Sequence, residues 1–191
     1  MERGKMRRHL PSWLFTGALA ALLLSLGIGF INSGIYNIAA DAPHTRIVYW
    51  VLESLRDRSI AAHARYITPP ADLASPQHLA AGAGLYAEMC SSCHLGPGVE
   101  RSELSQGLYP QAPELAEAQD LSAAEQFWVI KHGIKLSAMP AWGKTHPDPL
   151  IWDMVAFVRR LPSMSPEEYK RLVASAPADH DEMMKDMPGM K

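Results

Sequence analysis

The stretch Cys90-Ser91-Ser92-Cys93-His94 decides how the rest of the chain is read. Its pattern, Cys-x-x-Cys-His, is the attachment signature of a c-type haem. The spacing has a chemical reason. Each thiol adds across a vinyl group of the porphyrin and becomes a thioether. Cysteines separated by two residues, at the end of a helix, reach both vinyls of one ring. His94 follows directly and offers an imidazole nitrogen to the iron as proximal ligand. Other readings fit less well. A structural zinc site takes about four protein ligands, commonly with a second cysteine pair, and this chain has 2 cysteines in all. A thioredoxin-like Cys-x-x-Cys needs a strand–helix–strand setting, for which there is no pattern here. A plain disulfide would leave His94 unexplained.

The flanks add four further signals in order: Gly82-x-x-x-Tyr86-x-x-x-Cys90, Ala112-Pro113-Glu114-Leu115, Ala138-Met139-Pro140 and Trp152 to Leu161. Together with the attachment motif, Ala80 to Leu161 resembles a class I cytochrome c domain. The resemblance implies an all-α fold, a small helical domain wrapped around one covalent haem c. Gly82 and Tyr86 lie one helical turn apart and share a face. In the family a small residue there lets the first and last helices cross closely, with Phe157 as the aromatic partner. A ligating histidine usually donates its other N–H. The resemblance makes the Pro113 carbonyl its acceptor, while the residues leave Pro97 and Pro110 open. Tyr109 and Leu115 are expected to pack on the haem.

The distal side of the iron calls for a methionine or a histidine. Of the 10 methionines, Met139 has the right context. It sits in a loop after Gly133 and before Pro140, where a sulfur can swing across a haem face. His132 is the competitor. Met89 and Met154 fall on helices and read as packing residues. With His94 and Met139 both bound, the iron has no open position, and one-electron transfer is what remains.

The N-terminal region explains where such a protein would work. Arg3, Lys5, Arg7 and Arg8 precede an uncharged apolar run from Trp13 to Ile31. That run is about long enough to cross a bilayer as one helix. The basic side is expected in the cytoplasm and everything after residue 31 outside it. With haem attachment in the periplasm, as the resemblance implies, the expectation is a single-pass protein of the inner membrane with its haem domain in the periplasm. Cleavage after Ala40-Asp41-Ala42 is disfavoured because Pro43 would follow the cut.

The expected organisation is a basic terminus at 1–12, an anchor at 13–31 and a connector with an amphipathic helix at 32–67. A Pro-rich linker at 68–76, the haem domain at 77–162 and a polar Met-rich tail at 163–191 follow. Asp41 is a candidate cap for the amphipathic helix. Its apolar stripe either packs on the haem domain or a neighbouring subunit, or lies in the lipid interface. Ser122 and Glu125 predict a capping box for a helix to His132. Lys131, Lys135 and Lys144 flank the Met139 loop and form a candidate positive rim for an acidic partner.

The formal net charge of −2 gives no reason to expect nucleic acid. The simplest reading is a membrane-anchored electron carrier between membrane-bound or periplasmic redox proteins. Donors would be a dehydrogenase or a quinol-oxidising complex, and acceptors a terminal oxidase or reductase. The alternative is a dedicated haem subunit of a larger dehydrogenase or oxidase complex. A peroxide- or gas-reactive haem lacks an obvious distal acid–base pair. In the tail, His180 with Met183, Met184, Met187 and Met190 is a candidate cuprous copper segment, since thioethers are soft ligands.

Overall fold

The computed structural model describes residues 12–117 and 120–176. Its regular elements are all helical among the described residues, and they fall into two compact units, one ending at Ala42 and one beginning at Pro43.

The first unit is helix α1, Trp13–Ser33. Ser12 caps it by accepting from the Phe15 N–H, and Gly34 ends it at φ 65°, a left-handed conformation that glycine adopts without strain. Its 21 residues give a length of about 32 Å. With no charge and a mean hydropathy of 2.2, it is long and apolar enough to cross a membrane.

The second unit opens with α2, Arg46–Ala64. Its cap is Thr45, whose hydroxyl accepts from the Val48 N–H, and not Asp41, which lies too far upstream to reach the first turn. Helix α3, Pro76–Met89, is capped by Ser75, with a proline in its first turn. Two short helices follow, α4 at Ser91–His94 and α5 at Glu103–Gly107. Helix α6, Ala123–His132, carries the expected capping box: Ser122 accepts from the Glu125 N–H, and Glu125 accepts from the Ser122 N–H at 2.8 Å. Helix α7 is Asp148–Arg160, and α8 is Pro166–Ala174.

The core is built on the crossing of α3 with α7, the most extensive contact between elements. A Cβ at position 82 would lie 2.8 Å from the Phe157 Cβ and would run into the Asp153 backbone. Only glycine permits that approach. Tyr86 and Phe157 sit one turn further along, fully buried, with ring centroids 5.4 Å apart. Burying Phe157 alone stabilises the fold by about 1.5–3 kcal/mol. On the other side of α7, Phe127 of α6 stacks on Trp152 at 4.2 Å.

Two boundaries differ from the sequence reading. The compact unit starts at Pro43, so residues 43–67 and the Pro-rich stretch 68–76 lie inside it. Ile60 and Ala64 of α2 are buried, and the His63 ring meets the Trp128 ring of α6 at a tilt, with centroids 5.4 Å apart. At the other end, the core continues past residue 162. Met164 and Tyr169 are buried, and Leu172, Val173 and Ala176 pack on the same cluster. Tyr169, Leu172 and Val173 recur at helical spacing, which gives α8 an apolar face inside a segment that is otherwise polar.

Candidate functional site

Helix α3 delivers the attachment motif. Cys90 is its C-cap, and α4 turns directly onto it: the His94 N–H donates to the Cys90 carbonyl at 2.9 Å. Leu95 then takes φ 60°, a conformation that costs a non-glycine residue about 1–3 kcal/mol. The turn is held from behind. The buried Tyr86 hydroxyl donates to the Leu95 carbonyl at 2.6 Å. A Cβ at Gly96 would meet the Tyr169 ring at 2.8 Å.

The loop that follows returns to the motif. Ser102 donates from its hydroxyl to the Ser92 carbonyl at 2.6 Å. The Leu115 N–H donates to the His94 carbonyl at 3.4 Å, and Arg101 pairs with Glu114 at 2.7 Å. These contacts bring Pro113 against the histidine: His94 Nδ1 lies 2.8 Å from the Pro113 carbonyl oxygen. That carbonyl can only accept, so Nδ1 carries the proton and Nε2 keeps its lone pair. Burial lowers the His94 pKa, and the Pro113 contact works in the opposite direction with less effect. Both thiols are free; burial, with the neighbouring Cys93 charge, pushes Cys90 up to about 12, so it is a neutral thiol.

Met139 sits on the loop between α6 and α7. Gly133 starts that loop at φ 65°, and a Cβ there would meet the Met139 carbonyl oxygen at 2.6 Å. The Ile134 N–H donates to the Met139 carbonyl at 3.2 Å. Ser137 bridges the turn, donating to the Ile134 carbonyl at 2.7 Å and accepting from the Met139 N–H at 3.2 Å. The Met139 side chain is partly buried against the cluster that contains Leu85 and Trp152, together with Trp142.

The remaining candidates fall in different places. Leu115 is partly buried against the cluster that holds Cys90. Tyr109 faces the start of α2: its hydroxyl accepts from the His44 N–H at 2.7 Å, and its ring meets the His44 ring edge-on. His132 is exposed and lies beside Trp128. Lys131 is tied to Asp148 at 2.6 Å and lies over the Phe127 ring, which leaves Lys135 and Lys144 as the exposed members of the rim. The tail residues His180, Met183, Met184, Met187 and Met190 lie outside the described residues. Sequence reasoning passed over Trp142, Ser102 and the Arg101–Glu114 pair. Trp142 carried a signal, as an aromatic three residues after Met139; the other two depend on how the loop folds back.

The donor set fits haem c. Two free thiols sit at one helix end, the adjacent imidazole has one nitrogen committed to a carbonyl, and a half-buried thioether sits on a braced loop. A family model described as cytochrome c oxidase, cbb3-type, subunit III matches residues 77–158. No curated protein and no solved structure matches the chain. The matched stretch contains the attachment motif, Pro113, Met139 and most of α7, and residues 77–158 are a class I c-type cytochrome domain.

Proposed function

We propose that this chain is a one-electron carrier anchored to the inner membrane by α1, with its single covalent haem c in the periplasm. The observation that carries the reading is the 2.8 Å contact between His94 Nδ1 and the Pro113 carbonyl, directly after the thiol pair. It fixes the ring orientation and leaves Nε2 as the nitrogen that can bind iron. Haem c supplies a reversible one-electron couple.

The chain's own residues hold, orient and shield the group. Cys90 and Cys93 would hold it through thioethers. Pro113 orients His94, and Leu115 packs beside the motif. Ser137 and Gly133 shape the loop whose Met139 thioether would be the second protein ligand to the iron. A methionine there raises the potential relative to a second histidine. With His94 and Met139 both bound, the iron would have no position left for a substrate. Anchoring keeps the domain near membrane-bound partners and raises its effective concentration there.

A second reading has specific support. The matched family model is named for an oxidase subunit, which favours a haem subunit fixed in a respiratory complex. Mild-detergent extraction followed by a haem-stained native gel separates the two. A carrier runs as a small species whose oxidation by membranes saturates with its concentration. Migration wholly within a large assembly would establish the subunit. Copper at the tail rests on thioether chemistry alone. Equal cuprous uptake by the full chain and by a chain ending at residue 175 would remove it.

A further inference from the structure

We propose that the outer face of α2 lies on the lipid surface of the membrane and thereby fixes how the cytochrome domain is presented there. The inference rests on anchoring by α1 and goes beyond it. A plain tether lets the domain swing, whereas a second lipid contact sets its orientation.

Helix α2 has two apolar stripes. One faces the domain, with Ile60 and Ala64 buried and Val48 and Leu52 half-buried. The other is exposed: Ile47 is 76% exposed, Trp50 67% and Leu55 65%, with Val51 between them. At about 100° per residue, this second stripe lies roughly opposite Leu52 and Ile60. Toward the C-terminus the same side carries exposed Arg58 and Arg65. The acidic residues Glu53 and Asp57 lie to one flank, where both are paired with Arg56. Aliphatic residues and a tryptophan followed by arginines make the composition of a helix lying at a lipid interface.

Lipid is favoured over protein by the length of the connection. Residues 34–45 separate α1 from α2, and even fully extended they reach roughly 40 Å. That connector itself exposes Ile35 and Ile38. The apolar face therefore stays within reach of the bilayer that α1 enters. The contact would be transmitted to the whole domain because α2 is fastened to it at both ends. The His44 N–H is bound by the Tyr109 hydroxyl, and the His63 ring packs at a tilt against Trp128.

The test uses the full-length holoprotein in nanodiscs of anionic lipid, with one nitroxide per sample. Cys90 and Cys93 are consumed as thioethers, so an introduced cysteine is labelled alone. The sites are Val51→Cys on the outer face, Leu22→Cys in α1 and Leu104→Cys on α5. Accessibility to oxygen, which enters lipid, is compared with accessibility to a water-soluble nickel chelate. We expect the labels at 22 and 51 to favour oxygen and the label at 104 to favour nickel. If 51 behaves like 104 while 22 favours oxygen, the lipid contact is refuted and the anchor stands. If 22 also favours nickel, the anchor itself fails. If 51 is closed to both reagents, protein covers the face, as in a pairing of two copies, and the lipid assignment is overturned.

Discussion

The segment around His94 and the segment around Met139 are braced in different ways. Contacts that reach beyond the segment hold the first: Tyr86 to Leu95 and Ser102 to Ser92 from its flanks, and Pro113 to His94 and Tyr169 against Gly96 from further along the chain. The second is shaped mainly within itself, by Gly133, the Ser137 bridge and the Ile134–Met139 contact. Local bracing breaks without unfolding the domain, and long-range bracing does not. The methionine side should therefore be the first part of the domain to open under denaturant, while the histidine side persists until the core melts.

The largest effect is expected on the histidine side. Replacing both Cys90 and Cys93 by alanine should abolish haem retention on a denaturing gel, and haem that survives denaturation in that variant would refute the attachment reading. Tyr86→Phe leaves the Leu95 carbonyl buried without its donor, a cost of about 1–3 kcal/mol. Global unfolding should shift by that amount, while the near-infrared sulfur-to-iron band keeps the midpoint it has in the natural protein. Gly133→Ala forces a Cβ into a left-handed backbone against the Met139 carbonyl, at about 1–3 kcal/mol. Here the band should disappear well before the fold does. Coincident loss in both variants would show that the two sides are one cooperative unit. Ser137→Ala acts in the same sense more weakly, by about 0.5–1.5 kcal/mol, read as an earlier midpoint for the band alone.

The smallest effect concerns the α3–α7 crossing behind the histidine side. His78 on α3 is hydrogen-bonded to Asp153 on α7 and lies 3.6 Å from Asp72. Asp153 raises the His78 pKa against the opposing effect of burial. Burial raises the Asp153 pKa against the opposing effect of His78. A raised histidine stabilises fully below its unfolded value, about 6.5, and loses that contribution as pH rises through the higher folded value. A raised carboxyl likewise loses stability as pH rises, at lower pH. The melting temperature should therefore fall as pH climbs above about 6.5, and His78→Gln should flatten that slope. An unchanged slope would place the pH dependence elsewhere.

The same division governs what the sequence revealed. Signals carried by neighbouring residues were legible: the motif, Gly82 one turn before Tyr86, the Ser122–Glu125 box and Gly133 ending α6. Pro113 came only with the resemblance, because a proline carbonyl has no pattern that marks it as an acceptor. The docking of α8 was missed because Tyr169, Leu172 and Val173 are diluted by charge within a segment read as a polar tail. The amphipathic helix stayed ambiguous because it has two apolar stripes, and one-dimensional spacing does not say which one meets the domain. Tyr109 was assigned to the haem from its place in the wrapping loop, yet its hydroxyl and ring both meet His44, 65 residues away.

Whether protein fills both axial positions is the claim on which the electron-transfer reading depends. The direct measurement is the visible spectrum of the reduced full-length protein at neutral pH, with and without carbon monoxide, beside Met139→Ala. The account predicts no change on adding the gas to the natural protein and a clear shift in the variant. A prompt shift in the natural protein would contradict it, because an iron open to carbon monoxide has a position free for a substrate.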